Sequence, residues 1–264
     1  MASPPVWLTR LAGVVGPTGP PRQVGNSVWT VSVGGRTLVA KLGANALDEA
    51  DGLEILKAVP GAPPVPEVVL TEIDLLVTTW VEQGSRTPEH EESFGRALAT
   101  LHSAPFPHWG GGSSWIGACR VDPSPFPDAA SFYGARLRQL SIRCGLEHSV
   151  DAVAAKLGEL LPPGGPALLH GDLWWGNVLF GADGQTWLID PSVHGWHPEE
   201  DLAMLALFGA VPDRLLRAYA EVYPLSPGWE ERVALFQLYP LLVHAVLFGG
   251  GYRAQAEEVA LRFA

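Results

Sequence analysis

Residues 170–190 hold three side chains that can bind a metal ion or move a proton: Asp172, Asn177 and Asp190. Carboxylate and carboxamide oxygens suit Mg2+, which binds through one or two protein groups together with substrate phosphates. Asp172 lies in a loop after the apolar run 167–169. We therefore expect Asn177 and Asp190 to hold Mg2+ and Asp172 to act as a general base.

The segments around these residues predict a β-hairpin. Residues 178–180 and 186–189 are strand-like, and Asp183-Gly184 between them is a strong two-residue turn signal. In that register Asn177 faces Asp190, and directly opposed residues of an antiparallel pair lie about 5 Å apart. The hairpin would then place a carboxamide and a carboxylate at its open end.

The order and spacing of these residues resemble a kinase catalytic loop, in which a base Asp precedes a metal-binding Asn by five positions. The sequence HGD followed by Asn and an apolar strand ending in Asp resembles the aminoglycoside phosphotransferase group. Within it, HGDLWWGN, IDPSVHGWHPEEDLAMLALFG and LYPLLVHAVLFGGGY resemble the fructosamine kinase (ketosamine kinase) family. The resemblance covers most of the chain and is weakest before residue 25 and across 103–150.

The resemblance implies an α+β, bilobal protein-kinase-like fold, with a β-rich N-lobe at residues 1–79 and a mostly helical C-lobe at 80–264. It implies ATP and Mg2+ as cofactors and transfer of the γ-phosphate to O3 of a ketosamine, either small or protein-bound. It also implies that His170 and Asp201 order the catalytic loop, although helix capping is an alternative for Asp201. Two other functions stay open: a kinase for an aminoglycoside, amino alcohol or sugar, and a non-catalytic nucleotide-binding scaffold.

A second hairpin is predicted around Gly34-Gly35, in which Lys41 lies opposite Val28. Lys41 then lies beside a small-residue loop, where it can meet nucleotide phosphates while backbone N–H groups cover them. The predicted loop residues are Gly25, Asn26 and Ser27. A surface lysine on an edge strand is the alternative.

A helix is expected to run to about residue 58, with Glu49 on the same face as Leu53. By the resemblance, Glu49 pairs with Lys41; an acidic residue favoured at a helix N-terminus is the alternative. The segment LLVTTWVEQG resembles the hinge between kinase lobes, which implies that backbone groups near Thr79 and Val81 contact adenine.

The acceptor side is less well defined by the sequence. Residues 105–127 are rich in Gly, Pro and Trp and predict a loop beside the acceptor site. Arg136 occupies a helix that resembles the family's substrate-side helix, with a solvated face as the alternative. Trp174, Trp175 and His197 are further candidate acceptor residues, and Trp175 stands where the family commonly has Ser.

Composition excludes some classes of function. The chain has 264 residues and a formal net charge of −11, which argues against nucleic-acid or anionic-membrane binding driven by charge. Its two cysteines are too few for a disulfide framework, so a cytoplasmic location is expected. No signal peptide is evident, and the apolar run 233–248 is interrupted by polar residues and proline. Oligomeric state is left open.

Overall fold

The computed structural model describes residues 5–264. The first part is an antiparallel sheet with strand order β1-β2-β3-β5-β4, covered by one helix and with a second helix between its third and fourth strands in the chain. Its elements are α1 (Val6–Val15), β1 (Arg22–Gly25), β2 (Val28–Val33), β3 (Arg36–Leu42), α2 (Ala46–Lys57), β4 (Val68–Glu72) and β5 (Leu75–Thr79).

The β2–β3 hairpin has the predicted register. Gly34 and Gly35 both have positive φ, 55° and 82°, as a two-residue turn that matches the twist of the strands requires. Lys41 pairs with Val28, which confirms the expected position of the lysine. The inner face of the sheet packs against α1, where Leu11 is fully buried.

The second part is mostly helical. Its helices are α3 (Pro88–His102), α4 (Ala129–Cys144), α5 (Glu147–Leu160), α6 (Glu199–Leu207), α7 (Asp213–Val222), α8 (Trp229–Phe248) and α9 (Gly251–Phe263). Local signals fix two of the starts: the side chains of Thr87 and Asp128 accept hydrogen bonds from backbone N–H groups in the first turns of α3 and α4. α2 shares a core with α3 and α7, so it connects the two parts of the molecule.

Short strands between the helices position the loop that follows residue 169. They are β6 (Trp109–Gly110), β7 (Trp115–Ile116), β8 (Cys119–Arg120), β9 (Pro125–Phe126), β10 (Ala167–Leu169), β11 (Val178–Phe180), β12 (Thr186–Leu188) and β13 (His194–Trp196). β10, β13, β6 and β9 form a four-stranded sheet. The segment 105–127, predicted as loop, therefore contributes four two-residue strands.

The predicted register of the β11–β12 hairpin is wrong by one residue. Val178 pairs with Leu188, so Asn177 lies opposite Ile189 rather than Asp190. The reason is the turn: Gly181 donates to the Gln185 carbonyl at 2.8 Å, which closes three residues instead of two. Gly184, with φ 81°, takes the left-handed position that ends such a three-residue loop.

α8 is long and apolar enough to cross a membrane by length and composition alone, and half of its most apolar stretch is buried inside the protein. Most of its buried residues belong to the largest core, where Phe236 lies beside Tyr133 and Trp196. Pro240 lies within this helix. α8 is thus the central core helix of the second part.

Candidate active site

A buried carboxylate fixes the loop that follows β10. Asp201, in the first turn of α6, accepts hydrogen bonds from the backbone N–H groups of His170 and Gly171 at 2.8 and 3.0 Å. His102 lies 3.1 Å from the same carboxylate and is itself 2.8 Å from the Tyr219 hydroxyl. Burial alone would raise the pKa of Asp201, but His102 and the loop amides lower it below its usual value. These contacts hold the loop to α6, and the role of Asp201 in supporting catalysis stays a prediction.

His170 closes the other side of this loop. Its Nε2 lies 2.9 Å from the Ile189 carbonyl, and its backbone carbonyl accepts from Ser192 N–H at 2.8 Å. The imidazole is fully buried, and burial lowers its pKa. A neutral, buried ring with these partners orders the backbone on either side of Asp172.

Asp172 and Asn177 are in direct contact. Asn177 Nδ2 donates to the Asp172 backbone carbonyl at 2.8 Å and approaches Asp172 Oδ2 at 3.4 Å. Desolvation raises the pKa of Asp172 to about 7, and the nearby charge of Asp190 acts in the same direction. A carboxyl with a pKa near neutrality is suited to accept a proton from a hydroxyl.

Lys41 joins both parts of the molecule through two carboxylates. Its Nζ lies 2.7 and 2.8 Å from the two oxygens of Glu49 on α2 and 2.8 Å from Asp190 Oδ1. Burial alone would lower the lysine pKa, but the two carboxylates outweigh it and raise the pKa. Burial also raises the pKa of Glu49, to about 7. The predicted Lys41–Glu49 pair is present.

Asp190 contacts Lys41 because of an unusual backbone conformation. Within residues 5–264 it is the only residue other than glycine with positive φ, at 56°. Asp tolerates this left-handed region better than most residues, yet the conformation is uncommon and collects at functional sites. It turns the chain immediately after β12. Asp190 therefore reaches Lys41 although it does not lie opposite Asn177.

Two cavities meet at these residues. The large cavity, about 480 Å³, is lined by Asp172, Asn177 and Trp174, and the small cavity, about 220 Å³, by Thr79 and Val81. Lys41, Glu49 and Asp190 line both. The predicted loop residues Gly25, Asn26 and Ser27 are exposed and line neither, although Val28 after them lines the small one.

Three predicted acceptor residues lie outside the large cavity. Arg136 is buried, 3.2 Å from the Tyr239 hydroxyl and stacked on the Phe132 ring. Trp175 stacks on Phe180, because the helical turn of 175–177 directs it away from Trp174.

His197 also lies outside it. The ring is buried among Trp109, Trp196 and Phe236, with centroids 4.8 to 6.0 Å away. Burial lowers the His197 pKa to about 4. Arg136, Trp175 and His197 therefore make structural contacts outside the large cavity, and their role as acceptor residues stays a prediction.

Other lining residues were not predicted individually. Asp48 lines the large cavity, and its Oδ2 accepts from Ser114 N–H at 2.6 Å, which joins α2 to the 105–127 segment. Trp115 to Ala118 form the adjoining wall, and His244 and Phe248 of α8 form another. Of these, only the 105–127 segment carried a usable signal, its Gly, Pro and Trp content. The contributions of α2 and α8 depend on tertiary packing.

The donor set fits a magnesium ion shared with a phosphate substrate. The amide nitrogen of Asn177 is used by Asp172, which leaves its carbonyl oxygen for a ligand, and Asp190 supplies a carboxylate in the same cavity. Within residues 5–264, no three His, Cys, Asp or Glu side chains converge on a metal site made of protein groups alone. Few protein ligands and several outside oxygens are what Mg2+ commonly uses.

Comparison with solved structures supports the predicted fold. A Thermobifida fusca protein named as a candidate fructosamine-3-kinase superposes with a TM-score of 0.87 and 36% identity, covering 97% of this chain and 96% of that one. A choline kinase from Streptococcus pneumoniae shares the fold, with a TM-score of 0.68 at 14% identity and coverage of 98% and 97%. The prediction of an α+β, kinase-like fold is confirmed.

Sequence comparison identifies the family. A probable ketoamine kinase of Synechocystis is 34% identical over 199 residues, which cover 70% of this chain and 65% of that relative. The sequence profile of the fructosamine kinase family matches residues 41–263. The chain therefore belongs to the fructosamine kinase family, phosphotransferases that act on a hydroxyl group.

Proposed function

We propose that this protein transfers the γ-phosphate of ATP to the O3 hydroxyl of a ketosamine of the fructosamine or ribulosamine type. The observation that carries the proposal is the meeting of two cavities at Lys41, Glu49 and Asp190, with Asp172 in the larger one. Phosphoryl transfer needs two substrates brought together at charged groups, and this arrangement provides both. The names of the relatives supply the ketosamine class.

In this proposal the small cavity holds adenine, between an N-lobe of residues 1–79 and a C-lobe of 80–264. Its walls are largely apolar, with Val28, Val39 and Leu179 on facing sides. The N–H groups of Thr79 and Trp80 already donate to the carbonyls of Glu67 and Thr37, at 3.0 and 3.2 Å. Among the hinge N–H groups this leaves that of Val81 for adenine, and the Thr79 carbonyl stays a predicted second contact.

Lys41 is the group that would meet the α- and β-phosphates. Glu49 on α2 holds the Lys41 ammonium by two hydrogen bonds, so the ammonium is already oriented before a nucleotide binds. Asn177 and Asp190 would hold Mg2+, which neutralises phosphate charge when bound. The strained backbone at Asp190 and the Asp172 contact to Asn177 fix both ligands in advance.

Asp172 orients the acceptor hydroxyl and accepts its proton. Its position is fixed from three sides, by Asn177, by His170 and by the Asp201 contacts to the loop amides. Such a base gives up little conformational freedom when the acceptor binds, which favours catalysis by positioning. The large cavity around it provides the acceptor site, open to a free or a protein-bound ketosamine.

The test is a phosphorylation panel that contains ribulosamine, fructosamine, the unmodified amines and sugars, an amino alcohol and an aminoglycoside. We expect Mg2+-dependent ADP release with the ketosamines, and NMR of the product should place phosphate on O3. Preferred turnover of an aminoglycoside, amino alcohol or plain sugar would contradict the ketosamine assignment. Nucleotide binding without ADP release from any acceptor would indicate a non-catalytic scaffold.

A further inference from the structure

Five aromatic rings form a contiguous group beside the large cavity: Trp174, Phe208, His244, Phe248 and Tyr252. We call this group the aromatic rim. Ring centroids lie 4.9 Å apart for Phe208 and His244, 5.0 Å for His244 and Tyr252, and 5.5 Å for His244 and Phe248. Trp174 joins the group through Phe208 at 6.2 Å. The rings come from the catalytic loop, the end of α6 and the α8–α9 turn.

The rim is open to solvent, unlike the aromatic cluster around His197. Phe248 is 67% exposed, Trp174 41% and Phe208 36%. Exposed apolar groups that form a contiguous patch commonly mark a binding surface. Trp174, His244 and Phe248 also line the large cavity itself. The exposed patch is therefore continuous with the space that contains Asp172.

The large cavity is thus lined by two chemically different sets of side chains. Asp172, Asn177, Asp190 and Lys41 present charged and polar groups. The three rim residues in the lining, together with the aliphatic Val243 of α8, present aromatic and apolar surface. A volume of about 480 Å³ is within the range that holds drug-sized ligands. The cavity can therefore receive a sugar at its polar groups together with a further group.

His244 gives the rim a defined hydrogen-bonding character. Its Nδ1 lies 2.7 Å from the Pro240 carbonyl, which can only accept, so this nitrogen carries the proton. In the neutral ring, Nε2 is then an acceptor. An acceptor beside aromatic faces suits an amine N–H and the apolar group attached to it.

We propose that the aromatic rim binds an apolar or aromatic substituent on the amine of the acceptor. The inference rests on the proposed function, since it places the sugar of a ketosamine at the polar groups of the large cavity and its amine substituent at the rim. Aromatic contacts of this kind contribute enough binding free energy to change affinity by about tenfold. The preferred acceptors would then be ketosamines of hydrophobic amines.

The test uses one sugar on three amines: 1-deoxyfructosyl derivatives of methylamine, isopentylamine and 2-phenylethylamine. For the wild-type protein we expect kcat/KM to rise by about tenfold from the methyl to the phenylethyl compound. Phe248→Ala and Tyr252→Ala should bring this ratio towards one. The matched control is Leu261→Ala, which removes from the far end of α9 an apolar side chain about as exposed as that of Phe248. This variant should keep the wild-type ratio.

Three results would overturn the inference, and they are distinguishable. Turnover of all three compounds at similar rates would show that the rim does not discriminate between amine substituents. A preference that survives in both Phe248→Ala and Tyr252→Ala would place its origin elsewhere. Sedimentation showing a dimer that Phe248→Ala dissociates, with selectivity unchanged, would assign the rim to a second copy of the chain. No turnover of any ketosamine would instead contradict the proposed function.

Discussion

The small and large cavities share three side chains but are built in different ways. The small cavity is lined mostly by strands and by the residues that follow them: Val28 and Val39 come from the β2–β3 hairpin, Thr79 from β5 and Leu179 from β11. The large cavity is assembled from segments far apart in the chain, including Asp48 on α2, the wall that starts at Trp115, and Phe248 at the end of α8.

This difference separates two properties of the enzyme. Pairing of β2, β3 and β5 fixes the position of Lys41 and the sheet side of the small cavity, and Leu179 and Asp190 complete that cavity from the second part of the molecule. Packing between distant elements fixes the large cavity, so its shape can change while the charged centre stays the same. We infer that the reaction type resides in the shared centre and acceptor choice in the walls of the large cavity.

The sharpest test of the shared centre is Asp172→Asn. The amide keeps the shape of the side chain and can still accept from Asn177, but it cannot take up a proton. We expect turnover to fall about 10³-fold, in the range for loss of a general base, with nucleotide affinity nearly unchanged. Steady-state ADP release and nucleotide titration would measure the two effects. Turnover within tenfold of wild type would exclude Asp172 as the base.

Lys41→Met tests the nucleotide side of the comparison. Loss of the ammonium removes the charge that would meet the phosphates and leaves Glu49 and Asp190 without their common partner. We expect kcat/KM for ATP to fall about 10²-fold, as for removal of one electrostatic contact to the transferred group. Acceptor KM should change much less.

The control for this variant is Lys57→Met, because Lys57 lies at the exposed end of α2 and pairs with Glu54. It should leave both constants unchanged. A Lys41→Met protein with normal ATP kinetics would remove Lys41 from the nucleotide site.

The two hairpins show how far sequence reasoning extends. Gly34-Gly35 predicted the β2–β3 register correctly, because both glycines adopt the positive φ that the turn requires. Asp183-Gly184 gave an equally strong local signal, but the hydrogen bond from Gly181 to Gln185 lengthens the loop and shifts the register by one residue. Despite this difference in register, the Asp190 carboxylate still contacts Lys41, because the positive φ of Asp190 turns the chain towards the lysine.

Residue choice on the acceptor side was less predictable for a physical reason. A motif specifies which side chains are adjacent in sequence, and Trp174 and Trp175 are adjacent yet point in different directions, one to the large cavity and one to Phe180. His197 and Arg136 are polar residues that the core accommodates among aromatic rings. Asp48 gave no signal, because its contact with Ser114 joins segments 66 positions apart.

Asp48→Ala tests whether the large cavity depends on that long-range contact. Removal of the carboxylate frees the Ser114 amide and loosens the wall that begins at Trp115. A hydrogen bond to a charged group is worth roughly 1.5–3 kcal/mol, so acceptor KM should rise about tenfold or more while nucleotide affinity stays within about twofold. Acceptor and nucleotide titrations on the same protein would measure both.

Two further variants separate this contact from a general effect on α2. Asp48→Asn retains an acceptor for Ser114 and should recover part of the lost acceptor affinity. Asp51→Ala alters an exposed acid on the same helix and should have no effect. Equal loss of nucleotide and acceptor affinity in Asp48→Ala would show that the walls of the two cavities are not independent.

His197→Phe should affect neither cavity, and it tests the assignment of His197 to the core. The folded-state pKa of His197, about 4, lies below the ordinary value of 6.5 because the ring is buried. Between these values the unfolded chain binds a proton that the folded chain does not. This contribution to stability is therefore complete above pH 6.5 and decreases as pH falls towards 4, by about 3 kcal/mol in total.

Urea unfolding at a series of pH values would measure this term as the difference between wild type and His197→Phe. The variant should lose less stability than wild type between pH 6.5 and 4, because phenylalanine has no proton to bind. Its acceptor and nucleotide constants at pH 7.5 should match wild type, since the ring lines neither cavity. A selective change in acceptor KM would instead assign His197 to the acceptor site. It would show that the large cavity extends into the aromatic core.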